Sequence, residues 1–315
     1  MALGTNHVTN TTGATFIPEI WSDEIVAAYE KSLVLANLVN RMPMTGKKGD
    51  TLHIPKPTRG DASSKSAETQ VTLIAATESE VVVTVDQHYE YSRLIEDITD
   101  VQALASMRQF YTSDAGYALA KRVDTDLFTL GKKLGDDAGT GTDWVHSNSF
   151  FMDASTDLTA YALDTVTPSD VFSDDGFRAA IKQLDDNDVP MDQRFLVVPP
   201  SVMQTIRGIT RYNSADFVAG QPTVNGQVGT LYGVDIYVST NCPVIEAASD
   251  NSNSTADIKA GILGHRDAMV FAEQMGVRTQ TQYKQEYLGD LFTADTLYGV
   301  QVLRPESALV LAFPA

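Results

Sequence analysis

The sequence feature that most constrains the fold is the long segment Ile98–Leu134, which contains no proline and two glycines. Its apolar residues recur every three or four positions, which is the spacing of a helix with one buried face. Those residues include Val101, Leu104, Tyr111, Ala115, Leu119, Val123, Leu127 and Leu130. A helix of roughly 37 residues would be about 55 Å long, which is more than one globular core needs. Asp114, Lys121, Arg122 and Asp124 exclude a membrane span. We interpret the segment as a strut on which other parts of the subunit are mounted.

A β-rich region precedes this helix and predicts an extended hairpin. Residues Thr51–Lys56 alternate as a strand, Pro57–Gln70 are small and polar, and Val71–Arg93 are dense in β-branched and aromatic residues. An isolated two-stranded ribbon is marginally stable in water. The hairpin therefore needs another surface to lie on, and a neighbouring subunit is the hypothesis.

The remaining chain alternates between helical and strand patterns. Residues 1–15 predict an arm that orders on a neighbour, and residues 20–39 predict a short helix. Further helices are predicted at 173–184, with Ser173 as N-cap, and at 201–210, with weaker candidates at 266–274 and 291–303. Strands are predicted at 194–200, 231–240, 260–265, 277–287 and 307–313. Loops are predicted at 213–228 and 245–257, and residues 135–168 are interpreted as an excursion from a compact domain. This order predicts an α+β fold.

Composition excludes several classes of protein. The net charge of −18 argues against a nucleic-acid-binding surface, because such surfaces need lysine and arginine to replace phosphate counterions. A single cysteine, Cys242, excludes a disulfide framework. No signal peptide and no membrane-spanning run is recognisable, so we expect a soluble protein made in the cytoplasm.

The residues that usually carry chemistry form no recognisable catalytic, cofactor or metal site. The five histidines never occur at i, i+3 or i+4 spacing, and they are His7, His53, His88, His146 and His265. The acidic run Asp185–Asp188 lacks the glycine and distal glutamate of a calcium loop, so it is interpreted as a solvated helix end. Cys242 is interpreted as a small core residue. Tyr89 and Tyr91 share one strand face, where packing is favoured over base stacking.

The order of these elements resembles the major capsid proteins of tailed bacteriophages, which have the Hong Kong 97-type fold. Two stretches carry the local resemblance, DDNDVPMDQRFLVVPPSV at residues 185–202 and YGVQVLRPESALVL at residues 298–311. The resemblance covers nearly the whole chain. It implies an N-terminal arm and short helix at 1–44, followed by an extended loop at 45–93. Residues 94–189 would hold the spine helix, an insertion at 135–168 and the first part of a peripheral domain. An axial domain would follow at 190–260, and residues 261–315 would return to the peripheral domain.

The resemblance also implies function and partners. Copies of the chain would form hexamers and pentamers that close an icosahedral shell around double-stranded DNA, without sequence-specific DNA binding and without a membrane. A separate scaffolding protein, a portal and an optional cement protein would be further partners, with assembly in the host cytoplasm and the virion as the final location. The candidate intersubunit contacts are Arg59, Asp61, Lys65 and Glu68. Lys65 has no assignable asparagine partner, so no covalent cross-link is expected. An encapsulin-like compartment shell and a hydrolase with an acidic cleft stay open as alternatives.

Overall fold

The computed structural model of the chain describes residues 34–46, 48–57, 60, 62, 64–71, 73, 78–98, 107–135, 141–209, 212, 229–250 and 256–314. The helices in these ranges are α1 (Leu35–Leu38), α2 (Met107–Thr129), α3 (Asp174–Asp186) and α4 (Pro200–Gly208). The strands are β1 (Asn40–Pro43), β2 (Thr51–Pro57), β3 (Glu78–Thr84), β4 (Gln87–Glu96), β5 (Ser149–Phe151), β6 (Thr159–Ala160), β7 (Arg194–Val198), β8 (Thr230–Leu231), β9 (Val234–Val238), β10 (Val244–Glu246), β11 (Ile258–His265), β12 (Met269–Lys284), β13 (Gly289–Val302) and β14 (Ala308–Pro314). Helices and strands together confirm the predicted α+β class.

One sheet is narrow and long, with the strand order β1-β12-β13-β4. Strand β1 runs parallel to β12, and the other two pairs are antiparallel. The 16 residues of β12 span about 50 Å at the usual rise of a strand. Alternate residues of β13 face α2 because strand side chains alternate between faces, and Phe292, Ala294 and Tyr298 are buried there.

The second sheet has eight strands in the order β6-β5-β14-β11-β7-β9-β8, with β10 paired to β11. All five residues of β7 and six of the seven residues of β14 are buried. Helices α3 and α4 belong to the hydrophobic cluster on one side of this sheet, where Phe177 and Ile206 join Leu196 and Leu311. The strands are apolar on both sides because both faces of the sheet are covered.

Helix α2 contributes to the packing of both sheets. Its residues Val123 and Leu127 share one hydrophobic cluster with Phe292 of the long sheet and with Ile262 and Val310 of the eight-stranded sheet. A helix with two packing partners has few solvent-facing positions, and this fits the interpretation of the segment as a strut. The described helix begins at Met107 and continues as a short 3-10 turn at 130–133. Residues 99–106 lie outside the described ranges.

Several elements occur where the sequence predicts them. Ser173 is the N-cap of α3, and its hydroxyl accepts a hydrogen bond from the Gly176 amide at 3.1 Å. The strand at 194–198, the helix beginning at Pro200, and the strands β11 and β14 are likewise confirmed. The predicted arm at 1–15 and the loop at 213–228 lie outside the described residues. Most of the predicted helix at 20–39 does so too, and its last residues form α1, followed by β1.

The two weaker helix predictions, at 266–274 and 291–303, are wrong. Residues 266–268 form a single 3-10 turn, and the rest of both segments belongs to β12 and β13. In 291–303 the buried residues Phe292, Ala294, Tyr298 and Val302 are separated by even numbers of positions, which is the period of a strand. In 266–274 the apolar run is too short for its period to separate strand from helix.

Three further segments differ from the sequence interpretation. The return limb Val71–Arg93 contains two strands in different sheets, because the chain turns at Val85 and Asp86 between β3 and β4. The strand predicted at 231–240 is a tight hairpin of β8 and β9, with positive φ at Tyr232 and Gly233. The excursion at 135–168 supplies β5 and β6 to the eight-stranded sheet, so it is part of that sheet.

The sheets do not follow the domain boundaries that the resemblance implies. Helix α3, placed in the first part of the peripheral domain, packs on the eight-stranded sheet. The segment 261–315 is shared between the two sheets, since β11 and β14 lie in one and β12 and β13 in the other. The boundaries at 44, 93, 189 and 260 stay predictions.

Candidate assembly surfaces

The hairpin of β2 and β3 is a separate two-stranded sheet. Thr51 pairs with Thr84 at its base, and Pro57 pairs with Glu78 at its far end. The ladder of seven pairs is about 23 Å long at the usual strand rise. Beyond it, every tip residue whose burial is described, at 60, 62, 64–71 and 73, is exposed. The hairpin thus extends away from the rest of the chain as the sequence predicts.

The tip exposes two large apolar side chains. Val71 is 64% exposed and Leu73 is 90% exposed. Of the contacts predicted from sequence, Lys65 and Glu68 are exposed on the same tip, whereas Arg59 and Asp61 lie outside the described residues. Burying an exposed leucine contributes about 1.5–3 kcal/mol, more than an exposed ion pair does. Val71 and Leu73 were missed from sequence, although their alternation with Thr72 was a usable signal.

The base of the hairpin is seated on the long sheet, on the face opposite α2. Leu52 and Val83 pack with Val270, Ala272 and their neighbours in a small apolar cluster. One hydrogen bond reinforces the seat, since the Gln274 side chain of β12 donates to the Gly49 carbonyl at 2.8 Å. Another, from the Val85 amide to the Asp50 carbonyl at 2.8 Å, joins the two ends of the hairpin to each other.

Gly299 is required by the close approach of β3 to β13. A Cβ atom at this position would lie 2.3 Å from the Thr84 carbonyl oxygen and 2.9 Å from its carbon. Both atoms belong to the backbone, so neither can rotate away. Any side chain at 299 would displace the hairpin from its seat.

The other half of the same sheet face carries no covering element among the described residues. Gln280, Gln282, Leu291 and Thr293 line a shallow groove there. Their positions in the ladder put them on the face opposite α2, because Gln280 pairs with Thr293 and Gln282 with Leu291. The groove is mixed, since Leu291 is apolar whereas the glutamines and the threonine supply hydrogen-bond donors and acceptors.

A charged cluster lies between the covered and the uncovered half of this face. Arg278 donates two hydrogen bonds to Asp295, at 2.8 and 3.1 Å, and His88 lies 3.2 Å from the same carboxylate. Burial alone would raise the pKa of Asp295, but the hydrogen bonds from Arg278 and His88 outweigh it and hold the pKa below its usual range. The carboxylate is therefore ionised at neutral pH and fixes the Arg278 side chain.

Helix α2 is held on the opposite face by polar contacts from tyrosines. Arg122 donates to the Tyr89 hydroxyl at 2.7 Å and stacks over its ring, and the Tyr91 hydroxyl donates to Asp114 at 2.6 Å. Burial, followed by the hydrogen bond to Asp114, raises the pKa of Tyr91. The prediction that Tyr89 and Tyr91 serve packing is confirmed, and their partner is α2.

The loop predicted at 245–257 is partly tied down. Glu246 is buried in β10, where it accepts hydrogen bonds from the Tyr161 hydroxyl at 3.1 Å and the Asp164 amide at 3.0 Å. The prediction of a loop is therefore wrong for residues 245 and 246, which belong to β10. Residues 251–255 lie outside the described ranges.

The described residues contain no cluster of three or more metal-ligating side chains. Cys242 is buried in the main core, as predicted. Asp185 of the acidic run forms an ion pair at 2.7 Å with Arg194, whose side chain is buried. The run is thus the end of α3, as predicted, with one carboxylate used internally. Among the described helices, none is long and apolar enough to cross a membrane.

These features define a class of protein. A long helix against a long narrow sheet, a hairpin projecting from that sheet, and a second sheet covered by helices together make the Hong Kong 97-type shell subunit. The chain belongs to the phage capsid protein family, whose sequence model matches residues 21–306. It is accordingly a structural capsid protein of a phage virion, and neither the compartment shell nor the hydrolase is favoured.

Solved structures support the fold. Mycobacterium phage Che8 gives a TM-score of 0.67 at 24% identity, covering 89% of this chain and 90% of that chain. The capsid of the cyanophage P-SCSP1u gives 0.67 at 21% identity, covering 89% and 87%. The capsid asymmetric unit of the cyanophage Pam1 gives 0.70 at 11% identity, covering 91% and 92%. No curated protein sequence matches the chain.

Proposed function

We propose that copies of this capsid protein form hexamers and pentamers that close an icosahedral shell around double-stranded DNA. The observation that carries the proposal is the hairpin, whose tip exposes Val71 and Leu73. A single subunit gains nothing from presenting a leucine to water on a two-stranded ribbon. A neighbouring copy that covers the tip would bury this apolar area at every contact.

The uncovered half of the long sheet is the surface that fits a neighbour's tip. The base of a subunit's own hairpin covers one half of this face, and the groove at Gln280 and Thr293 continues the same face. A tip from one copy on the sheet of the next is a head-to-tail contact. Such contacts close into rings when the rotation between copies is a fifth or a sixth of a turn.

The negative net charge of the chain is suited to a shell that encloses DNA. A subunit with a net charge of −18 repels the phosphate backbone, so packaged DNA can move past the shell without sequence-specific binding. The same charge opposes close packing of many copies, and apolar contacts such as Leu73 counteract it. We propose a purely structural role, with no catalytic step.

The partners implied by this role are proposals as well. A separate scaffolding protein would set the curvature during assembly in the host cytoplasm, a portal would occupy one vertex, and a cement protein would be an optional addition. Lys65 and Glu68, together with Arg59 and Asp61, would add exposed ion pairs at the tip contact, each contributing about 0–1 kcal/mol.

The double substitution Val71→Ser and Leu73→Ser tests the tip contact. Both side chains are exposed, so the thermal unfolding midpoint of the free subunit should stay unchanged. The concentration of subunit needed for assembly should rise by at least about tenfold, because each lost apolar contact costs on the order of 2 kcal/mol. The measurement is sedimentation of assembly mixtures over a range of subunit concentrations.

The matched control is Val71→Ile with Leu73→Met, which keeps the apolar surface and should assemble like the parent. Deleting residues 59–68 should weaken assembly and shell strength further. Normal assembly by the serine variant, at the parent's concentration, would show that the tip does not bind a neighbour.

A further inference from the structure

Asp124 is a fully buried carboxylate at the meeting point of three elements. It lies on α2 and is 0% exposed. One of its oxygens accepts the Leu35 amide of α1 at 3.0 Å, and the other accepts the Asn241 side-chain amide at 3.2 Å and the Ser239 hydroxyl at 3.5 Å. We call these four residues the Asp124 joint.

The joint connects parts of the chain that are far apart in sequence. Leu35 begins α1, the first helix of the described chain, and residues 1–33 precede it. Ser239 and Asn241 follow β9, and the Ser239 amide donates to the Val198 carbonyl of β7 at 3.0 Å. The joint thus links the start of α1 to α2 and to the eight-stranded sheet.

Burying this carboxylate is unfavourable by itself. The groups that bond it are neutral donors, whereas buried carboxylates are usually paired with a cation. Burial raises the pKa of Asp124, against the opposing effect of the hydrogen bonds from Leu35 and Asn241. The titratable group that faces it is the Cys242 thiol, whose pKa is raised to about 12 by burial and by the charge of Asp124, with Lys259 acting in the opposite sense.

An apolar residue would avoid the desolvation of the charge, but it would leave the Leu35 amide and the Asn241 and Ser239 side chains without their acceptor. A carboxylate differs from an apolar side chain in holding several donors in one fixed arrangement. We propose that Asp124 is a positioning residue for assembly, which holds the first turn of α1 against residues 239–242 and so fixes the orientation of α1 on the subunit. The assembly role rests on the proposed function, whereas the positioning itself does not.

Asn241→Asp is the variant that breaks the joint. It places a second carboxylate beside the first, and two like charges at this distance repel. The double variant Asp124→Asn with Asn241→Asp exchanges the two groups and restores the pattern. The amide now at position 124 can donate to the carboxylate now at position 241, while the amide oxygen accepts the Leu35 amide. If the positioning role of Asp124 depends on these hydrogen bonds, the double variant restores it.

The native chain supplies two reporters in the unassembled subunit. Cys242 is the only cysteine and lies next to Asn241, so its labelling rate by a thiol reagent reports opening of the joint. Lys31 is the only lysine or arginine before Arg41, so the rate of tryptic cleavage after Lys31 reports how accessible the chain next to α1 is to the protease. Thermal unfolding of each variant shows whether the fold is retained.

We expect Asn241→Asp to raise both rates at least about tenfold, which corresponds to about 1.4 kcal/mol. The double variant should return both rates close to the parent values. Asn187→Asp is the matched control, because it disturbs a comparable side-chain hydrogen bond, to the Glu306 carbonyl, away from the joint. If Asn241→Asp does not fold, Ser239→Ala provides a milder opening, with smaller increases in the same two rates.

Unchanged rates in Asn241→Asp, or a double variant as reactive as the single one, would overturn the positioning role. The final step is assembly of the parent, single and double variants under identical conditions, where the single variant should give fewer particles and the double variant should recover them. Equal particle yields despite altered rates would overturn the assembly role. A parent that never assembles would instead refute the proposed function and leave the reporters' result intact.

Discussion

At the residue scale, buried charges show what the sequence can and cannot reveal. Asp124 occurs in a helical segment where its sequence context gives only a charge that excludes a membrane span, and its burial depends on α1 and on residues 239–241, which are distant in sequence. Asp185 likewise gains its partner Arg194 from the first position of β7. The local sequence pattern alone assigns such charged residues to the solvent-exposed face of an element. Their burial depends on partners that only tertiary contacts bring close.

The raised pKa of Asp124 predicts a specific dependence of stability on pH. In the unfolded chain this carboxyl ionises near its usual pKa of about 4. In the folded chain it ionises at higher pH, so the folded state binds more protons in the window between the two values. The contribution of Asp124 to stability is therefore most favourable below the unfolded pKa and declines as pH rises through the folded pKa.

Asp124→Asn removes this titration and makes the effect measurable. The unfolding free energy of the parent, minus that of the variant, should fall as pH rises from about 4 to 7. Urea unfolding of both proteins at several pH values gives this difference directly. A difference that is constant with pH would show that folding does not raise the pKa of Asp124.

At the element scale, the sequence predicted helices and strands correctly where the spacing of apolar residues and the end signals were clear. Helix α3 with its Ser173 cap, the buried strand β7 and the hairpin strands β2 and β3 follow from local signals. The segment 291–303 was predicted as helix, and its membership of β13 depends on pairing with β12 and β4 on both sides. The even spacing of its buried residues was a strand signal in the sequence, whereas the identity of its partners β12 and β4 is set by long-range pairing.

Gly299 carries a prediction for the hairpin as an element. Replacing it with alanine forces β3 away from β13, because the new Cβ would collide with the Thr84 backbone. Overpacking of this kind costs about 1–3 kcal/mol. Hydrogen exchange should show faster exchange at the Val83 and Val85 amides, together with a lower unfolding midpoint.

Gly208→Ala is the control for this substitution, since a Cβ at Gly208 meets no atom within 4 Å. It should leave the exchange of the hairpin amides unchanged. Equal exchange in the Gly299 variant and the parent would mean that the seat at β13 does not hold the hairpin.

At the scale of the whole molecule, the order of elements was enough to indicate the fold, and the family match confirms it. The order of hairpin, long helix and mixed elements is a low-resolution property that survives low sequence identity, as the 11% identity to the Pam1 capsid shows. The composition of each sheet was not predictable, because residues 135–168 and 258–314 are distributed by long-range pairing. The proposed tip contact is likewise invisible to a single chain, since it would be made with another copy.

Within the closed shell, we propose, the hairpin of one subunit lies on the long sheet of the next. Electron cryo-microscopy of the protein, expressed together with its scaffolding protein, tests it most directly. The expected result is closed icosahedral particles of pentamers and hexamers, with density for Leu73 on the groove at Gln280 and Thr293 of the adjacent subunit. A subunit that stays monomeric with its scaffold present, or a shell whose hairpin tips contact no neighbouring sheet, would contradict the claim.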